Sequence, residues 1–397
     1  MKSGIWRACF LPLFYTIPHL YGIFYHFLTK CQEFFPNFLT IVCYNKGMKK
    51  PIKNAIKKAL IRAISISIIA LLLSCSSNPN STLNHSMKDV AGSKKNVGRI
   101  DKTFGDENKD VVVFSTNDSM GASNDNLSYA GIKLYLNNFD RDTNYVTLVD
   151  TGNFSGGSEI AEKSKGKSSI EIMNAMGYDL VVPGTSEFDY GIDTFLENME
   201  ALDATVICCN MLDIKNNSLA FLPYVIYEYG DTKIAYVGVT SPEVMYNDRN
   251  HDKFFDENGE QLYYFFEDET GETLYAQVQS AVDVAKEEGA DKVVLLAHLG
   301  IEDVEPMWSS TTIIANTSGI DGVVDGHSME ILESGLSINK NGAFVPLVQA
   351  GSRLSNLGVM NITKDGYNFP AILSEKSIGK KDPDMQNLID EVIKKYS

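Results

Sequence analysis

The chain has 397 residues, and with 44% of them hydrophobic it can bury a sizeable core. Its formal charge of −16 is unevenly spread: residues 1–75 hold ten Lys and Arg against the single acid Glu33, leaving 25 basic and 50 acidic residues after Cys75. A body this acidic excludes nucleic acid as a partner, because binding a phosphate backbone takes clustered positive charge. Small phosphates stay open to it where a metal ion supplies that charge locally.

Residues 6–28 are aromatic and apolar but broken by Pro12, Pro18, His19 and His26. Residues 1–47 read as an extension ahead of a start at Met48 or, if translated, as a first membrane segment. From Met48, five Lys and one Arg precede twelve mostly apolar residues, 63–74. These are the n- and h-regions of an export signal, too short to span a bilayer comfortably. The ending Leu72-Leu73-Ser74-Cys75 resembles a bacterial lipoprotein signal. That resemblance implies a lipid on Cys75 and an exported protein anchored to a bacterial membrane, on the cell surface or the periplasmic side. An uncleaved anchor helix is the alternative. Residues 76–109 begin rich in Ser, Asn, Lys and Gly without periodicity, which predicts a flexible tether. Beyond Cys75 the cysteines are the adjacent pair Cys208 and Cys209. Adjacent strand positions face opposite ways, so no disulfide is expected there.

From Val111 onward, short apolar runs alternate with helical stretches. Runs at 111–114, 146–149, 180–182, 205–208, 293–296 and 322–324 predict strands buried on both faces. Residues 224–229 and 234–239, joined through Gly230-Asp231, predict a hairpin, and 345–349 with 357–362 a closing antiparallel pair. Residues 272–288 carry Leu274, Val278, Val282 and Ala285 along one helical stripe. The acidic, aromatic stretch 247–270 has no period and predicts a surface excursion. Met385, Leu388, Ile389 and Val392 form a helical stripe in the tail, 368–397. The pattern predicts one layered α/β domain over 110–367.

The stretch Tyr178 to Gly191, YDLVVPGTSEFDYG, sets a strand, a Pro-Gly stop and then Thr185, Ser186, Glu187 and Asp189. On its own this reads as a capped turn, with Ser186 or Asp189 capping a helix over 192–202. Four other strand ends carry similar residues: Thr116-Asn117-Asp118-Ser119-Met120-Gly121, Asp150-Thr151-Gly152-Asn153, Ala297-His298-Leu299-Gly300 and Asp325-Gly326-His327-Ser328-Met329. Individually they make turns. Together, Asp118, Asn153, His298 and His327 at one sheet edge would suit a divalent ion such as Zn, Mn or Mg.

The order and spacing of these blocks, from FSTNDSMG through VDTGNFSGGS, PGTSEFDYG, LLAHLGIED and VVDGHSM to VQAGSRLSNLG, resemble the metallophosphoesterase domain of the bacterial 5′-nucleotidase and UDP-sugar hydrolase family. The resemblance implies a layered αββα metallophosphoesterase-like sandwich of one domain. In that family the blocks read Asp-x-His, Gly-Asp, Gly-Asn-His-Glu, a lone His and Gly-His-x-His. They hold two metal ions that clamp a phosphate and activate a water, and the His of the third block is a catalytic acid.

Five positions depart from that pattern. Met120 stands where a ligand His would be, Asn153 replaces the bridging Asp, and Thr185 replaces the ligand Asn. Ser186 replaces the catalytic His, and Met329 replaces the last His. Asp189, which orients that His in the family, has no such partner here. An amide offers one neutral oxygen where a carboxylate bridges with two anionic ones, and a thioether is a poor ligand for these ions. The retained Asp118, His298 and His327, with Asn153, leave room for one ion at most. The family also carries a C-terminal domain that binds the nucleoside, and this chain ends at what reads as the helix leading into it. Two functions remain open. One is a hydrolase of small phosphate esters or nucleotides with impaired chemistry. The other is a non-catalytic surface lipoprotein that binds a ligand or partner on the same fold. A split gene is a third possibility.

Overall fold

A computed structural model describes residues 101–246, 251–301 and 305–397. The extension, the signal with Cys75, and residues 76–100 of the tether lie outside the described residues. In chain order the first half runs β1 (Asp101–Thr103), β2 (Asp110–Thr116), α1 (Ser128–Asn137), β3 (Asn144–Asp150), α2 (Glu159–Ser164), α3 (Lys167–Met176), β4 (Leu180–Val181), α4 (Ile192–Glu200) and β5 (Thr205–Val206). It continues with β6 (Met211–Asp213), β7 (Ser218–Leu219), β8 (Tyr224–Tyr229), β9 (Thr232–Thr240), β10 (Tyr263–Phe265) and α5 (Glu272–Glu287). The remainder is β11 (Lys292–His298), α6 (Ser310–Asn316), β12 (Gly322–Val324), β13 (Ile331–Ile338), β14 (Phe344–Ala350), β15 (Leu357–Ile362), β16 (Asn368–Leu373) and α7 (Pro383–Tyr396).

Two sheets stack face to face. One has seven strands in the order β1-β8-β9-β11-β12-β14-β13, the other six in the order β16-β15-β2-β3-β4-β5. Strand periodicity explains the layering. In β2, Val111 and Val113 point into the core between the sheets, where they meet Val225, Tyr236, Val294 and Leu296 of the other sheet. Val112 and Phe114 point the other way, onto a second core shared with α1, α3, α4 and α7. The seven-stranded sheet is covered by α5, which buries Leu274, Val278, Ala281, Val282 and Ala285 against β9 and β11. Helices therefore lie outside both sheets, the αββα arrangement expected. Between the sheets the Tyr229 hydroxyl bonds Thr147 Oγ1 at 2.5 Å and Tyr236 Oη at 2.9 Å, satisfying polar tips that burial would otherwise leave costly.

Several boundaries move. Residues 101–109 are not tether: β1 pairs in parallel with β8, and Phe104 stacks on Tyr229 with centroids 4.5 Å apart. The two late strands do not pair with each other. β14 lies between β12 and β13 in one sheet, whereas β15 lies between β2 and β16 in the other. Described residues of the 247–270 stretch do not all run over the surface. Phe254, Phe265 and Phe266 are buried, and β10 pairs with β6 while Phe188 packs on Phe254 and Phe265. The folded body runs past residue 367, since β16 is a sheet strand and α7 docks on α3 and α1 through Met385, Ile389 and Val392. Asp382 caps α7 by accepting from the Met385 N–H, Pro383 presets its first turn, and Lys394 and Lys395 sit at its negative end.

Candidate functional site

Parallel pairing brings the strand ends to one edge. Thr116 of β2 aligns with Asp150 of β3, and Asp150 with Val181 of β4. In the other sheet Thr240 of β9 aligns with His298 of β11. The two edges meet. The His327 N–H donates to Asp118 Oδ2 at 2.8 Å, and His298 Nδ1 lies 2.6 Å from the Thr151 carbonyl. Asn153 Nδ2 donates to Asp118 Oδ1 at 2.8 Å, and the His298 and His327 rings lie 4.9 Å apart. The four candidate residues thus converge. Gly152 and Gly184 let them do so: a β-carbon on Gly152 would sit 2.7 Å from His298 Nδ1, and one on Gly184 2.4 Å from the Asn153 nitrogen. The loops carrying the candidates turn through left-handed backbone, with φ of 48° at Asp118, 59° at Asn153 and 78° at His327. Met120 and Met329 share that conformation, at 53° and 57°.

Ser186 and Asp189 do not cap the following helix. The N-cap of α4 is Gly191, with no side-chain cap. Ser186 opens a short 3-10 turn, its N–H donating to Asn153 Oδ1 at 2.8 Å and its hydroxyl to Glu187 at 3.2 Å. Asp189 ends that turn, where its carbonyl accepts from the Lys253 ammonium.

Comparison with known proteins places this geometry. The chain is 26% identical over 294 residues to the 2′,3′-cyclic-nucleotide 2′-phosphodiesterase/3′-nucleotidase of Haemophilus influenzae, a match covering 63% of this chain and 43% of that protein. It is 30% identical over 241 residues to the 5′-nucleotidase of Bos taurus, covering 56% of this chain and 38% of that one. The crystal structure of the calcineurin-like phosphoesterase YfkN from Bacillus subtilis matches with a TM-score of 0.59 at 20% identity, over 72% of this chain and 98% of that chain. The fold is that of the calcineurin-like phosphoesterases. The chain spans less than half the length of the two curated relatives. No family model matches it.

In a calcineurin-like site the donors at these strand ends would face metal ions, so their present engagement decides what fits. Asp118 is fully buried, and both its oxygens accept from the protein: Oδ1 from Asn153, Oδ2 from Asn117 Nδ2 and the His327 N–H, each at 2.8 Å. The Ser186 N–H needs an acceptor, which fixes the Asn153 carbonyl toward it and the amide nitrogen toward Asp118. His327 Nε2 donates to Glu243 at 2.9 Å. A carbonyl can only accept, so His298 Nδ1 carries the proton facing Thr151, and its buried Nε2 has no partner among the described residues. Burial, reinforced by His327, holds this imidazole well below its ordinary range and neutral. Among the described residues no three His, Cys, Asp or Glu side chains are arranged to hold an ion. Asp118, Asn153 and His327 are thus engaged with protein partners.

The polar shell is otherwise carried by Glu187, present at a strand end in the sequence but given no role there, and by Glu243, which the strand-end patterns did not single out. Glu187 is buried and accepts from the N–H groups of Gly184, Asn153, Phe154 and Ser155 at 2.6–2.9 Å. Glu243 follows β9, whose end reaches the same edge only because β9 pairs in parallel with β11, a fact no local pattern encodes. Burial, the largest cause in each case, raises Asp118 to about 6, Asp325 to about 7 and Asp150 well above the ordinary 3.8. Between the unfolded and folded values the native state holds protons that the unfolded chain has released. Stability from these groups is therefore fully present below about pH 4 and is lost as pH rises toward 7. Urea midpoints are expected to fall over that range, with Asp118 alone accounting for ~3 kcal/mol. Asp325→Asn should flatten the slope, whereas carboxylates held ionised by a bound cation would give the opposite trend.

Proposed function

We propose that this chain is a 5′-nucleotidase-like phosphoesterase family member in which the two-metal hydrolytic centre has given way to a closed hydrogen-bond network, leaving hydrolysis of phosphate monoesters impaired. The observation that carries the reading is Asn153, whose amide spans Asp118 and the Ser186 N–H where a bridging carboxylate would join two cations. A two-metal centre holds its ions about 3.5–4 Å apart to steady attacking and leaving oxygens. An amide between the same neighbours joins a donor to an acceptor instead. The loss of a general acid at Ser186 removes a further factor of about 10²–10⁴ in rate.

We place the protein outside the cell, held by a lipid on Cys75, with small phosphate esters or nucleotides as the ligand class. The test is hydrolysis of p-nitrophenyl phosphate and AMP by the purified protein with Mn²⁺ or Zn²⁺. The expected result is turnover near background that His298→Ala leaves unchanged. Brisk turnover abolished by that substitution refutes the reading.

A further inference from the structure

We propose that two copies of this chain associate through β13, each pairing this open edge strand antiparallel with the other's about a two-fold axis. Large apolar side chains are bared where the sandwich ends. Ile331, Leu336 and Ile338 of β13, Phe344 of β14 and Phe369 of β16 are each 54–67% exposed. β13 and β16 are terminal strands of the two sheets, and β13 and β14 pack against β16, so both sheets end on this side. Leu336 lies opposite Pro346 and Ile338 opposite Phe344, on the face that further along β14, at Val348, is buried between the sheets. At β13 that face is bare, and exposed apolar patches of this kind mark association.

The backbone of β13 is open as well. The Asn339 N–H donates to the Ala343 carbonyl, and strand residues alternate, so Ser337 turns its amide toward β14 while Leu336 and Ile338 turn theirs outward. Those outward groups have no backbone partner among the described residues. Residues 331–338 hold no Pro, Lys or Arg, the usual guards of an exposed edge. The register shift between Leu332 and Gly335 limits the regular edge to 335–338, so the contact is short. Charge selects a second copy as its occupant. Exposed Glu333 and Lys340 flank that stretch, one at each end. Antiparallel self-pairing sets each beside the opposite charge of the other copy and brings Leu336 and Ile338 together across the seam. With both β13 strands then paired, the assembly closes at two chains.

The experiment is analytical sedimentation of the purified protein over roughly 1–300 µM. A contact this short is expected to give a dimer that dissociates at about 10–100 µM. Ile338→Lys, at an exposed position, should weaken it at least about tenfold by setting a charge within the apolar seam, with circular dichroism unchanged. Glu333→Lys and Lys340→Glu should each weaken it about threefold to tenfold, and the two together should restore it to within about twofold. A protein still monomeric at ~300 µM overturns the proposal, as does a species that keeps growing with concentration. A dimer untouched by Ile338→Lys overturns the seam. Charge reversals without effect, or reversals that the double substitution does not rescue, overturn the two-fold pairing.

Discussion

Five substitutions made together, Met120→His, Asn153→Asp, Thr185→Asn, Ser186→His and Met329→His, are expected to raise Mn²⁺-dependent hydrolysis of p-nitrophenyl phosphate at least ~10²-fold over the unaltered chain. The scaffold already supplies what such ligands need. The loops at Met120 and Met329 hold left-handed backbone, the glycines at 152 and 184 let the edges close, and His298 Nε2 is unengaged among the described residues. The same variant should depend on metal for stability. Asn153→Asp removes a donor from Asp118 and sets two carboxylates side by side, a repulsion that a bound cation relieves above the pH where one of them takes a proton. Its Tm should therefore rise on adding Mn²⁺, and that of the parent should not. A variant that binds metal tightly yet stays inactive would show that more than these five side chains has been lost.

Glu187→Ala is expected to destabilise the protein by ~5 kcal/mol, enough to unfold many domains. The carboxylate takes four backbone N–H groups and the hydroxyls of Ser155 and Ser186, all at 2.6–3.2 Å. Each buried donor left unsatisfied costs about 1–3 kcal/mol, and a methyl group replaces none of the lost acceptors. These donors belong to the ends of two neighbouring strands, so Glu187 ties the β3 and β4 loops together at the base of the site. Urea denaturation reads the effect directly. A loss below ~1 kcal/mol would mean that water or a rearranged loop satisfies the donors, and that Glu187 is not the staple proposed.

Much of the layered fold is legible because parallel strands covered on both faces read as apolar runs, each ended by a polar turn. The runs at 111–114, 146–149 and 293–296 all lie inside observed strands. Strands without a buried run left no such signal. β1 is three residues of polar edge, and β13 exposes Ile331, Leu336 and Ile338 while pairing on its other side with β14. Residues 251–266 carry their phenylalanines into the core from turns and one short strand, so no period betrays their burial. The convergence of Asp118, Asn153, His298 and His327 followed from strand order. The pairings within it did not, because Asn153's orientation depends on where the Ser186 N–H points and Glu243's role on a parallel pairing between β9 and β11.

If hydrogen bonds have taken the place of two cations at the strand ends, as proposed, the number of ions the protein holds reports it. Purified protein saturated with Mn²⁺ or Zn²⁺, desalted and measured by elemental mass spectrometry, is expected to retain no more than one ion per chain, weakly held. Two tightly bound ions per chain, lost together on Asp118→Asn, would contradict it.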